Sequence, residues 1–130
     1  MDNPPSDRPI LVIEDDADIR DGLKLLLEGE GYSVELAHNG RDGLEQLQHT
    51  RPFVILLDVM MPVMDGYGFL AAVRERKPTN ASGVPVVLLT AAPDKAEHVP
   101  EILEVVRKPI DFDRFLPLLR RLQDSTPSNG

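Results

Sequence analysis

Three stretches of this chain are apolar from end to end yet too short for helices: residues 10–13, 53–57 and 84–89. A strand half-exposed to water alternates polar with apolar residues. An unbroken apolar run is what remains when both faces are covered, the usual condition of a parallel sheet. Segments of helical spacing lie between these runs. Ile19, Leu23, Leu26 and Leu27 share one face, and Gly29 and Gly31 close that helix. Leu44 and Leu47 mark a short second helix opened by Asn39. Phe69, Leu70 and Val73 mark a third, stopped by Pro78. Phe112, Phe115, Leu118, Leu119 and Leu122 supply the last, with Asp111 as N-cap. Val34 and Leu36 alternate as a strand, and Val105 with Val106 makes a short fifth. Strand and helix alternating through short links imply right-handed crossovers. The fold class is therefore α/β, a doubly wound five-stranded parallel sheet with helices on both faces.

A chain of 130 residues fits one domain, and a 42% hydrophobic content can fill its core. Residues 1–8 and 124–130, rich in Pro, Ser, Asn and Asp, read as disordered tails around a domain at 9–123. With no cysteine, disulfides and thiolate sites are excluded. A net charge of −8 argues against nucleic acid or an anionic membrane as a direct partner. No apolar run approaches the roughly 20 residues of a membrane span. The polar, proline-bearing start is no secretory signal, so a cytoplasmic protein is expected.

In open parallel sheets ligands bind beyond the carboxyl ends of the strands, so the residues that follow each apolar run matter most. After the first run come Glu14, Asp15 and Asp16; after the third strand, Asp58; after the fourth, Thr90; after the fifth, Arg107 and Lys108, then Pro109. Each has a plain explanation alone. The acidic triplet could merely open a helix, where the macrodipole favours negative charge. Asp58 could start a turn, Thr90 end a strand, and Lys108 be a solvated charge. Asp65-Gly66 reads as a turn, and His38, His49 and His98 lack ligand spacing. Together, however, the strand ends would gather three carboxylates, a hydroxyl and an ammonium. Crowded carboxylates repel unless a cation intervenes. Hard oxygen ligands suit Mg²⁺, and Mg²⁺ beside a lysine suits a phosphoryl group.

In the segments ILVIEDD, LLDVMMPVMDG, VVLLTA and VVRKP the sequence resembles the receiver domain of two-component response regulators, over nearly the whole chain. The resemblance implies the strand order 2-1-3-4-5. It also implies that Asp58 is the phosphoacceptor and takes its phosphoryl group from a phosphohistidine on a histidine kinase or histidine phosphotransfer protein. Asp15 would bind Mg²⁺ directly, with Glu14 in support and the Met60 backbone carbonyl as a further ligand beside Asp58. Thr90 would hydrogen-bond the phosphoryl group, Lys108 would pair with one of its oxygens, and the Lys108–Pro109 bond would be cis. Such a domain assists its own phosphorylation and dephosphorylation, is no turnover enzyme, and switches the binding of a downstream protein.

The chain departs from the family on one side. Between Thr90 and Lys108 it is shorter by about one helical turn and holds Pro93 and Pro100, so a shortened or irregular fourth helix is expected. Val105 stands where the family commonly has Tyr or Phe, and Pro117 falls within the last helix. Two other functions fit the residues less well. A haloacid-dehalogenase-like phosphatase needs a second acid two positions after its nucleophile, where this chain has Met60. A pseudo-receiver, an interaction module with a dead site, should lack a site residue, and none is lacking.

Overall fold

The apolar runs become the middle of a sheet. The computed structural model describes residues 8–60, 65–76 and 83–125. In chain order it contains β1 (Ile10–Ile13), α1 (Ala17–Gly29), β2 (Val34–Ala37), α2 (Gly40–Gln46), β3 (Val54–Asp58), α3 (Gly66–Arg76), β4 (Val86–Thr90), β5 (Ile102–Arg107) and α4 (Phe112–Asp124). The five strands are all parallel, in the order β2-β1-β3-β4-β5. Every residue of β1, β3 and β4 is buried.

Successive side chains of a strand face opposite ways, which divides the core in two. Ile10, Val12, Val54, Leu56, Val87 and Leu89 meet Leu23 and Leu27 of α1 and Phe115, Leu118, Leu119 and Leu122 of α4. Leu11, Ile13, Ile55, Leu57, Val86 and Leu88 meet Leu44 of α2 and Phe69 and Leu70 of α3. The helix starts behave as their sequence implies. Asn39 accepts from the Asp42 N–H at 2.8 Å, and Asp111 accepts from the Asp113 N–H at 3.1 Å. Gly31, at φ 95°, turns the chain out of α1 in a conformation that favours glycine.

Some expectations need correction. Of the four apolar residues assigned to one face of α1, only Leu23 and Leu27 are buried; Ile19 and Leu26 are 38% and 50% exposed. β5 extends to Ile102–Arg107, well beyond Val105 and Val106. As an edge strand it tolerates exposed Glu104 and Arg107, which broke the apolar pattern. Arg8 and Asp124, read as tail residues, belong to the folded unit. The Arg8 guanidinium donates to the Arg51 and Pro52 carbonyls, and Asp124 ends α4. Pro78 and the remaining tail residues lie outside the described residues. Pro117 sits inside α4 on its exposed side, where water can satisfy the carbonyl that Pro117 leaves unbonded. Among the described residues no helix is long and apolar enough to cross a membrane.

Between β4 and β5 the only helical structure is a 3₁₀ turn at Pro93–Lys95, so the irregular link expected there is found. It is pinned at two points: Tyr67 Oη accepts from the Glu97 N–H at 2.8 Å, and Arg74 makes a forked ion pair with Glu101 at 2.7 and 3.0 Å.

Close packing of α2 on the sheet yields the first prediction. A Cβ at Gly43 would lie 2.6 Å from Ile13 Cδ1 and 3.0 Å from Phe69 Cε1, whereas one at Gly22 in α1 would meet nothing within 4 Å. Gly43→Ala should lower stability by about 1–3 kcal/mol through overpacking. Gly22→Ala should raise it by roughly 0.4–1 kcal/mol through a less flexible unfolded chain. Urea unfolding midpoints of the two variants test this, and equal midpoints would disprove the tight α2 contact.

Candidate functional site

Parallel strands put all their carboxyl ends on one side of the sheet, and four of these ends carry the polar residues singled out above. Asp58 closes β3 and pairs in register with Leu89; Thr90 closes β4 opposite Arg107. Glu14 continues β1 for one residue, its N–H reaching the Ala37 carbonyl at 3.0 Å. Lys108 follows β5 directly, and its N–H binds the Thr90 carbonyl at 2.8 Å. The Lys108–Pro109 bond is cis, as the resemblance implied.

The side chains converge. Lys108 Nζ lies 2.9 Å from Asp58 Oδ1 and 3.0 Å from Glu14 Oε1. Glu14 and Asp58 are almost fully buried, at 1% and 4% exposure, while Asp15 is exposed. Thr90 Oγ1 accepts from the Ala92 N–H at 3.0 Å. Asp16 is turned away: its Oδ1 caps α1 through the N–H groups of Asp18 and Ile19. The plain reading as a helix opener therefore holds for that member of the acidic triplet.

One ammonium faces two buried carboxylates, so negative charge is left over. Burial pushes the Glu14 carboxyl up to about 7; the Lys108 hydrogen bond opposes that rise, and the charge of Asp58 adds to it. Burial also disfavours the Lys108 charge, but hydrogen bonds to Asp58 and Glu14 outweigh it and hold its pKa above the usual lysine value. Oxygen atoms of Glu14, Asp15 and Asp58 lie within 4.8 Å of one another. An all-oxygen set with surplus negative charge, open on the Asp15 side, fits a hard divalent cation of the Mg²⁺ type.

Glu14, Asp15, Asp58 and Lys108 thus gather around one point, with Thr90 at the adjoining strand end. The Met60 side chain is 77% exposed, and its N–H lies 3.4 Å from Asp58 Oδ1. Asp65-Gly66 turns the chain into α3, as its sequence implies. Asp65 caps α3 by accepting from the Gly68 N–H at 2.8 Å. A Cβ at Gly66 would come within 2.9 Å of the Asp58 carbonyl oxygen. The dipeptide lets α3 start against the backbone that carries Asp58. An Asp N-cap followed by glycine is a readable signal, but only the fold reveals what the glycine makes room for.

Comparison with known proteins agrees with this picture. A family model, the response regulator receiver domain, matches residues 10–120. A response regulator MprA of Mycolicibacterium vanbaalenii is 36% identical over 126 residues, covering 93% of this chain and 53% of that protein. The chain spans about half the length of the curated relatives it matches. Among solved structures, the chemotaxis protein CheY4 of Vibrio cholerae aligns with a TM-score of 0.73 at 31% identity, over 88% of this chain and 98% of that one. The receiver domain of the sensor histidine kinase PA1611 from Pseudomonas aeruginosa, with a magnesium ion coordinated in its active site cleft, aligns with a TM-score of 0.80 at 26% identity. That alignment covers 91% of this chain and 98% of that one.

The buried Glu14 sets a pH dependence. A carboxyl raised from its ordinary 4.5 to about 7 binds its proton more tightly in the folded chain than in the unfolded one. Its stabilising contribution is therefore full below 4.5 and is lost as pH climbs to 7. Glu14→Gln, which mimics the protonated form, should match wild type near pH 5 in EDTA. It should melt about 5 °C higher by pH 8. Parallel melting curves across that range would contradict the raised pKa.

Proposed function

The chain belongs to the response regulator receiver domain family, and on that premise we propose that it accepts a phosphoryl group from a partner's phosphohistidine onto Asp58. The observation that carries this reading is the Lys108 ammonium bridging the buried Asp58 and Glu14 at the carboxyl end of the sheet. Glu14, Asp15 and Asp58, with the Met60 carbonyl, would hold Mg²⁺, which when bound neutralises charge on the carboxylates and the phosphoryl oxygens.

The chain's own residues supply positioning and electrostatics. An Asp58 carboxylate oxygen attacks phosphorus in line with the phosphohistidine nitrogen. The O–P bond forms, the N–P bond breaks, and the bonding pair leaves with the imidazole. Lys108, held at Asp58 with little freedom, pairs with a phosphoryl oxygen as charge redistributes. Thr90 exchanges its contact with the Ala92 N–H for one to the phosphoryl group. The product is an acyl phosphate, later lost to water. The domain assists both steps and then engages a downstream protein; it does not turn over a separate substrate. The phosphatase alternative loses ground at Met60, an exposed thioether where that chemistry needs an acid.

Two outcomes follow. With Mg²⁺ and a small phosphodonor, intact mass should show one phosphate on wild type and none on Asp58→Asn, and Lys108→Ala should fold but take up phosphate at least about tenfold more slowly. Equal incorporation in Asp58→Asn would refute the acceptor assignment. The phosphorylated form should also be long-lived: the positions two after the acceptor and two after the threonine flank the phosphoryl group in the family, and here they hold Met60 and Ala92, whose side chains cannot orient a water by hydrogen bonding. Decay of the phosphoprotein should quicken in Met60→Asn or Ala92→Glu; unchanged decay in both would remove that account.

A further inference from the structure

We infer that Arg20 is a positioning residue for the cation site: its guanidinium braces the turn at Glu14 and Asp15 so that the Asp15 carboxylate is presented to the site. The inference rests on the phosphoacceptor reading above and goes beyond it by adding a residue that no strand end supplies.

The turn between β1 and α1 is short and carries two of the three carboxylates. Secondary structure holds it only partly. The β1 ladder ends at Ile13, and α1 begins at Ala17. The Glu14 N–H is fixed by the Ala37 carbonyl, and the Asp16 N–H by Glu14 Oε2 at 3.2 Å. The Glu14 and Asp15 carbonyls lie beyond the strand ladder. Arg20 Nη1 reaches both, at 2.9 Å and 3.4 Å. Helical side chains lean toward the N-terminus of their helix, so a long residue one turn into α1 reaches back over its own start. The Arg20 N–H in turn binds the Asp16 carbonyl at 2.9 Å, which closes the loop between brace and turn.

Asp15 depends most on this arrangement. Glu14 and Asp58 are held through their side chains by Lys108, and both are buried. The Asp15 side chain is exposed and makes no hydrogen bond or ion pair with other described residues. Its backbone is the part that the described residues hold, and it sets the point from which the carboxylate reaches the site. A charged donor on a backbone carbonyl is among the stronger hydrogen bonds available, and here it acts on the residues that flank the site.

Arg20 also carries positive charge near a site for a dication, and the two effects oppose each other. Charge alone would make Arg20 an obstacle, and truncating it would tighten Mg²⁺ binding. Positioning makes Arg20 a support, and truncating it should weaken binding. The sign of the change separates them. Arg20→Lys keeps the charge but loses the planar fork, so it should fall between wild type and Arg20→Ala.

The experiment is a Mg²⁺ titration followed by backbone amide NMR shifts near Asp58, for wild type, Arg20→Ala, Arg20→Lys and Asp15→Asn, with melting curves and amide exchange in EDTA. Arg20→Ala should weaken Mg²⁺ by about tenfold with a melting temperature near wild type. In metal-free protein its Asp15 and Asp16 amides should exchange faster. Unchanged or tighter Mg²⁺ binding overturns the proposal. So does a large loss of melting temperature with unchanged affinity, which makes Arg20 a structural brace only. If wild type fails to bind Mg²⁺, or Asp15→Asn binds it equally well, the phosphoacceptor reading itself fails; the metal-free exchange data still decide whether Arg20 holds the turn.

Discussion

Everything in this molecule follows from covering both faces of a parallel sheet. β1, β3 and β4 have no exposed residue, so polar groups can enter the sheet only at its ends or its edges. The edges take Glu35, Glu104 and Arg107. The carboxyl end takes Glu14, Asp58, Thr90 and Lys108, because parallel strands all finish on the same side. Polar side chains are thus gathered where the sheet stops, while the helices cover its two faces.

That placement has an electrostatic consequence. Carboxylates at the end of a buried strand lose water, and water is what normally keeps them ionised. Lys108 compensates for one charge and ties three strand ends together, since it contacts the residue that follows β1 and the last residue of β3, and its N–H holds β4. The remaining negative charge shows in the raised Glu14 pKa. A site built this way favours a divalent cation and, with it, an incoming phosphoryl group. The property that would destabilise a merely structural cluster is the one the proposed chemistry uses.

The other side of the molecule is built differently from what a five-helix arrangement would require. Where a helix would run between β4 and β5 there is one 3₁₀ turn. Pro93 and Pro100 cannot serve as interior helix donors, and the segment is short. It is fastened instead to α3 by Tyr67 and by the Arg74–Glu101 pair. Thr90 touches the start of this segment through the Ala92 N–H, so the site and the link share a contact.

The order of elements, the two-sided burial, the caps at Asn39 and Asp111 and the strand-end residues were all legible in the residue pattern. Each depends on neighbours within a few positions, or on a run whose apolarity leaves one environment. The full extent of β5, the exposure of Ile19 and Leu26, the space at Gly43 and Gly66 and the reach of Arg20 were not legible. Each depends on which surface lies opposite, and that surface comes from residues distant in the chain or from a turn whose path the pattern does not specify. The residue pattern alone marked the fully buried strands and the polar residues that follow them, because an unbroken apolar run is a local signal. The tertiary structure alone decided that Glu14 and Asp58 share Lys108, because charges 94 and 50 residues away from it meet only once the parallel sheet has closed.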